Sequence, residues 1–517
     1  MNTPAATAPP PSLFQQTLRN PFFLPVLLFL GSWVFFLWGV EYPSKRNFDE
    51  FHYVPSAMQF LAQVENQNWE HPPLGKLILA VGIAIFGDTP LGWRFMSTLF
   101  GSVTLVGMYT LALLFFRSRA TALWCALLTL ANQLLYVQSR IGMLDTYLFG
   151  LLIWAMVLFV WSWKPAPQDT QAKKKIIWAL MGSGALLGLC TAIKWFGVIP
   201  WALIGGLVLF GWFFSPLPSS SKKQTKSKAQ HKKLNQRPSR TATQASQTSL
   251  HQSGSLQHPG DDPWLPARLY QNLKFWQWLT AFGIFPMVCY ALTFIPFYIQ
   301  KPELGFFDFF AMQTRMYKGQ LRVITAHPYM SQWWEWPLLT RPIWYAFDKE
   351  ADGALVRGVL LLGNPLIMWS GLLTLLACAW GWYKERTRTP FFILTFYLAY
   401  YLCWILIPRK IAFYYYYYPA GMMLTFALAY AFSTGAPDSQ LPGILQKLIG
   451  RVRVKWSLLD PEGAPSQHQG QPQGFNWTRW IFLASSIGLF VYFFPILGAK
   501  LIPSDSFRKW MWFSRWI

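Results

Sequence analysis

The chain has 517 residues, of which 53% are hydrophobic, 18% aromatic and only 13% charged, with a formal net charge of +23. This apolar excess excludes a water-soluble domain and implies a chain that crosses a bilayer many times. The positive charge does not imply a nucleic-acid partner, because no base-stacking or base-reading module accompanies it.

Predominantly apolar runs lie at Phe22–Val40, Phe95–Phe116, Thr121–Val137, Leu144–Trp163, Ile176–Ile193, Gly197–Phe214, Trp278–Tyr298, Val356–Trp382, Phe391–Pro408, Phe413–Phe432 and Trp480–Leu497. They predict an all-α polytopic membrane protein with about eleven transmembrane helices, and an odd number places the two ends on opposite sides. The first run lacks a strongly basic leader and a small-residue cleavage site, so it reads as a retained helix. Leu74–Phe86 is apolar but short, and is expected to be re-entrant or interfacial.

Lys and Arg collect at Arg117 and Arg119, Lys164, Lys173 to Lys175, the stretch 215–272, Lys384 to Arg388, and Lys447 to Lys455. By the excess of cations that cytoplasmic loops carry, that side and the N-terminus are cytoplasmic. Arg508, Lys509 and Arg515 run against the pattern. Three regions follow. Residues 1–214 form an N-terminal transmembrane region with the first extracytoplasmic loop. Residues 215–272, rich in Ser, Thr, Gln and Lys, form a disordered basic linker suited to anionic lipid headgroups. Residues 273–517 form a C-terminal transmembrane region with a long extracytoplasmic loop at 300–355. Cys125, Cys190, Cys289, Cys378 and Cys403 sit singly in apolar runs and read as small core residues. Gly182, Gly184 and Gly188 read as close helix packing.

The polar groups that remain converge on the extracytoplasmic face. Asp49, Glu50, His52, His71 and Lys76 come first, then Arg140, Asp145 and Lys194, and later Arg315, Lys318, Arg322, His327, Glu335, Arg341, Arg409 and Lys410. Ionisable groups are costly to keep beside a bilayer, so their clustering points to one functional site; the plain alternative is a set of solvated loop charges. The Trp-rich stretch Gln332-Trp333-Trp334-Glu335-Trp336-Pro337 suits either sugar stacking or interfacial anchoring.

The motifs Phe48-Asp49-Glu50, His71-Pro72-Pro73-Leu74-Gly75-Lys76, Gly92-Trp93-Arg94, Gln138-Ser139-Arg140 with Leu144-Asp145, and Lys194-Trp195-Phe196-Gly197 occur in that order. They are followed by His327-Pro328-Tyr329, Trp336-Pro337-Leu338, Arg341-Pro342, Gly363-Asn364-Pro365, and Arg409 with Tyr414–Tyr418 and Pro419. This series resembles the polyprenyl- or dolichyl-phosphate-mannose-dependent protein O-mannosyltransferases. The resemblance implies a glycosyltransferase of the C-type fold that moves mannose, with inversion, from a polyprenyl-phosphate-mannose donor to Ser or Thr hydroxyls of an acceptor protein. It implies no cofactor. Eukaryotic members carry a β-trefoil domain for which the 300–355 loop is too short, so the chain looks like a bacterial member, in the cell (inner) membrane with its site facing outward.

The chemistry fits the residues. Displacement at an anomeric carbon needs a base opposite the leaving group, and Asp49 is the choice. Glu50, on another face of the backbone, is expected to position acceptor or donor. Arg140 is the expected partner of the lipid phosphate, because its planar fork binds phosphate bidentately. Lys194, Arg409 and Lys410 are further phosphate candidates or interfacial cations. Asp145 is expected to orient Arg140 or balance its charge. His71, Lys76, His327, Trp336 and Arg341 are expected to position the site. No spacing on this face suggests a metal. Rival readings are a lipid-phosphate-sugar transferase acting on a glycolipid or polysaccharide, an oligosaccharyltransferase hinted at by Trp333-Trp334-Glu335, and a transporter, which would show inverted repeats.

Overall fold

Helices built from uninterrupted apolar sequence dominate the fold, as expected where one face meets lipid and the other meets protein. A computed structural model describes residues 17, 20–163, 170–213, 273–322, 326–385, 387–407, 409–434 and 477–517. The predicted basic linker at 215–272, Lys164, and Lys447 to Lys455 lie outside the described residues.

The first half comprises α1 (Phe23–Leu37), α2 (Glu50–Leu61), α3 (Leu74–Phe86), α4 (Pro90–Phe116), α5 (Arg119–Ala131), α6 (Gln133–Gln138), α7 (Leu144–Trp161), α8 (Thr170–Ile193) and α9 (Val198–Phe213). From residue 273 onward come α10 (Phe275–Leu279), a π-helical turn, α11 (Phe285–Leu292), α12 (Ile295–Gln300) and α13 (Asp308–Arg322). Two strands follow, β1 (Ile343–Lys349) and β2 (Leu355–Leu361), then α14 (Pro365–Glu385), α15 (Arg388–Leu406), α16 (Tyr418–Thr434), α17 (Trp477–Leu497) and β3 (Ile502–Pro503).

Among the described residues, seven helices or helix series are long and apolar enough to cross a membrane: α4, α7, α8, Phe275–Gln300, α14, α15 and α17. The other four predicted runs fall on the shorter helices α1, α5, α9 and α16. Phe275–Gln300 is bent because Pro286 and Pro296 each remove a backbone donor, and the π turn immediately precedes Pro286. Gly184 and Gly188 lie where a Cβ would strike the backbone at Ala281 and Pro286, so α8 meets this bent span backbone to backbone.

The fold is not helical throughout. Val356–Trp382, read from sequence as one span, divides into β2 and α14 at Gly363-Asn364-Pro365, where Asn364 Oδ1 accepts the Leu366 N–H at 3.2 Å. The residues Val356 to Leu361 are apolar enough for a span, but they pair antiparallel with β1, and β2 pairs with β3 to complete a three-stranded sheet. The segment after α17 packs on this sheet: Trp344 donates to Trp516 O at 2.7 Å, and Arg515 pairs with Glu335 at 2.9 Å. That packing gives Arg515 an anionic partner.

Candidate active site

Asp49 stands at the N-cap of α2, but its carboxylate does not cap the helix; Oδ2 accepts from Tyr53 Oη at 3.0 Å, one turn further on. The residue before it, Phe48, has φ of +49°, a left-handed backbone that a bulky side chain adopts only when its surroundings enforce it. Those surroundings are rings: Tyr345 at 5.2 Å, Phe413 at 5.5 Å, His327 at 5.7 Å and Tyr415 at 6.0 Å between centroids. They hold the turn that aims Asp49. Phe48→Ala should lower kcat roughly 10–100-fold, with little change in expression, because the turn is loosened and the reacting groups shift. Steady-state turnover at saturating substrate would check this.

Burial pushes the Asp49 carboxyl above the ordinary carboxylate range, against the opposing pull of Lys194, the Tyr53 hydroxyl and His52; Asp145 adds to the rise. Lys194, at the end of α8, is itself buried and pairs with Asp145 at 2.6 Å, with its Nζ 5.1 Å from the Tyr415 ring. Arg409 approaches from the loop after α15, its guanidinium 5.1 Å from the Tyr416 ring. Its Nε is buried with no hydrogen-bond partner among the described residues.

Other polar atoms beside the two aspartates are also unsatisfied. Gln138 and Tyr345, which face one another, have amide and hydroxyl atoms without a partner in hydrogen-bonding geometry, as does the Tyr418 hydroxyl, which feels the charge of Asp145. Tyr345 is the extra residue of a bulge: Trp344 pairs with Leu360 and Ala346 with Val359. Bulges commonly re-aim a side chain beside a functional site, and here the ring is directed to Phe48 and Tyr415. Buried polar atoms are rarely left unpaired, so such a cluster is suited to a hydroxyl-rich ligand.

Two predicted groups have other employment. Glu50 is fully buried; its carboxylate binds Arg94 bidentately at 2.8 and 2.9 Å and accepts the Asn47 and Gly142 N–H groups. Arg94 also donates to Val40 O, Pro43 O and Lys45 O, so the pair fastens the first loop to α4. Arg140, expected beside Asp145, instead donates to Phe36 O at 2.9 Å, to Gly39 O at 2.7 Å and to Trp38 O, which closes the C-terminal end of α1. Asp145, in the first turn of α7, has Lys194 as its partner instead.

The positioning candidates divide likewise. Lys76 donates to Asn68 O at 2.6 Å and His71 O at 2.9 Å, which shapes the loop before α3. His71 lies against Tyr53, with Gln320 of α13 at 3.2 Å from its Nδ1; burial, then Lys194, Arg409 and Lys76, hold it well below the usual imidazole range. His327 packs on Phe48 and Phe413, and burial lowers it against the pull of Asp49. Trp336 is fully buried, bonded to Ser331 at 2.9 Å and packed on Trp404. Arg341 serves Pro328 O and Arg515 O, while Lys410 is exposed. Sequence reasoning missed Tyr53 and Tyr345; a tyrosine one turn after a candidate base was a usable signal for the first, whereas a bulge leaves no local mark.

Two family models match the chain: "Dolichyl-phosphate-mannose-protein mannosyltransferase" over residues 89–234, and "C-terminal four TMM region of protein-O-mannosyltransferase" over residues 305–516. Together they span more than half of it. The chain belongs to the protein O-mannosyltransferase family. Relatives of this family member include polyprenol-phosphate-mannose–protein mannosyltransferases. That of Corynebacterium glutamicum is 24% identical, over 91% of this chain and 88% of the relative. That of Mycobacterium tuberculosis is 23% identical, over 71% of this chain and 72% of the relative. Its fold matches the Saccharomyces cerevisiae Pmt1-Pmt2 complex bound to the sugar donor, with TM-score 0.66, 15% identity, and 98% of this chain and 94% of the other covered. ArnT of Cupriavidus metallidurans bound to undecaprenyl phosphate gives TM-score 0.51 at 15% identity, over 83% of this chain and 63% of the other. The fold is thus the C-type glycosyltransferase fold.

Proposed function

We propose that this protein is an inverting glycosyltransferase that moves mannose from polyprenyl-phosphate-mannose to Ser or Thr hydroxyls of proteins, at the extracytoplasmic face of a bacterial inner membrane. The family and the named relatives support the reaction class. The observation that carries the site is the unsatisfied Arg409 Nε, buried on the same cluster of rings as Asp49 and Lys194.

In this reading Asp49 takes the proton of the acceptor hydroxyl as its oxygen bonds to the anomeric carbon, and the bond from that carbon to the phosphate oxygen breaks. The lipid phosphate leaves with the electron pair, and Arg409, with Lys194, meets its charge. Lys194 is shared with Asp145, so Arg409 is the principal phosphate ligand. The amide and hydroxyls of Gln138, Tyr345 and Tyr418 are the groups offered to the sugar.

Transfer of radiolabelled mannose from polyprenyl-phosphate-mannose to a Ser/Thr-rich peptide, by membranes containing the protein, tests the function. Label in the peptide is expected; label appearing only in a glycolipid would overturn the protein acceptor. Arg409→Ala should raise the donor KM roughly tenfold or more, and Arg409→Lys should recover only part, since a point charge lacks the planar fork. An unchanged donor KM in Arg409→Ala would reassign the phosphate.

A further inference from the structure

We infer that the protein holds a second phosphate site, for the headgroup of an anionic membrane lipid, where the ends of α1 and α17 meet. This site does not depend on the mannosyl-transfer reading. A cavity of about 380 Å³ opens there, lined by Arg140, Arg357, Lys500, Trp38, Tyr42 and Phe494 among others, and no Asp or Glu lines it. None of the groups whose charge acts on Asp49 belongs to it.

Each cation is seated on a ring. Arg140 lies 4.9 Å from the Tyr136 centroid, Arg357 4.7 Å from Tyr42, and Lys500 5.2 Å from Trp38. Arg140 is already held by the three carbonyls at the end of α1, so Arg357 and Lys500 are the cations that face a ligand, and the rings offset their mutual repulsion only in part. Lys500 is carried there by a turn: Gly498 N donates to Phe494 O, Lys500 N donates to Pro495 O, and Ala499 between them adopts φ of +54°. A left-handed alanine is unfavourable, so the turn is held by its surroundings rather than by its sequence.

The surroundings select a lipid over a free ion. Trp38 stacks on Phe494 and Phe35 packs on Phe490, so the C-terminal end of α1 meets α17 through aromatic rings. Leading away from the cavity, their outward faces are apolar and exposed, with Leu30 and Val34 on α1 and Ile487 and Val491 on α17. Acyl chains fit along those faces while the phosphate sits among the cations and the interfacial aromatics.

The test is native mass spectrometry of the protein in neutral detergent, titrated with phosphatidylglycerol, with phosphatidylcholine, and with phosphatidylglycerol in the presence of millimolar inorganic phosphate. Phosphatidylglycerol should bind at least tenfold more tightly than phosphatidylcholine. In Arg357→Gln/Lys500→Gln its binding should weaken roughly 10–30-fold, as expected for two charges lost near a lipid surface. Lys500→Gln alone, at an exposed side chain, should give part of that loss and keeps the test valid if the double variant misfolds. Equal binding of the two lipids, or unchanged binding in both variants, would overturn the site. Displacement by inorganic phosphate would overturn the lipid and leave a free-phosphate site.

Discussion

Asp49→Asn is expected to lower mannose transfer by roughly 10²–10⁴-fold while the protein still folds and binds donor, because the amide keeps the shape of the base but cannot take a proton. The Tyr53 hydroxyl can still donate to the amide oxygen, so the local geometry survives. The same assignment fixes a pH dependence. The carboxyl is raised above its ordinary value by burial, and only the deprotonated form is a base. Activity should therefore rise with pH through a midpoint higher than that of an ordinary carboxylate, about 3.9, and fall as acid protonates Asp49. A profile of kcat/KM against pH checks this. Near wild-type turnover by Asp49→Asn, or an acid limb at an unshifted carboxylate value, would remove Asp49 from the role of base.

Arg94→Ala should be the most damaging substitution for stability. It leaves Glu50, wholly buried, without its bidentate partner and releases three backbone carbonyls of the first loop. Breaking a buried ion pair from one side costs about 3–5 kcal/mol, so a marked fall in unfolding temperature and in yield is expected. Glu50→Gln/Arg94→Met should cost less than the single change, since no lone charge is then stranded. Thermal unfolding in detergent of both variants separates the two cases. If Arg94→Ala were as stable as wild type but inactive, the pair would act on substrate rather than on the loop.

Much of this was legible in the sequence. The apolar runs located the helices, because a membrane span needs a continuous stretch that little else in a protein supplies. Asp49, Lys194 and Arg409 stood out in the sequence as charges beside the bilayer, and the fold brings them onto one cluster of rings. What was not legible depended on direction. Glu50 follows Asp49 by one residue, yet one carboxylate meets Tyr53 and the other Arg94, and chain order does not say which neighbour each will find. Arg140 looked like a phosphate ligand from its charge and depth, but the three carbonyls at the end of α1 are supplied by a segment about a hundred residues earlier. β2 was hidden because a buried strand and a membrane span are both continuous apolar runs. Gly363-Asn364-Pro365 was the available punctuation, and a proline after an asparagine is a helix start.

The sheet beside Phe48 and Asp49 has a temporal consequence. β3 and Trp516, which finish it, belong to the segment that follows the last helix, whereas Phe48 and Asp49 follow the first. During synthesis Asp49 emerges early, ahead of every later helix that the structure describes. Trp344, beside the bulge that presents Tyr345, gains its bond to Trp516 O only once that segment has been made. A chain inserted only as far as α16 therefore carries Asp49 beside a sheet that still lacks β3 and the contact from Trp516.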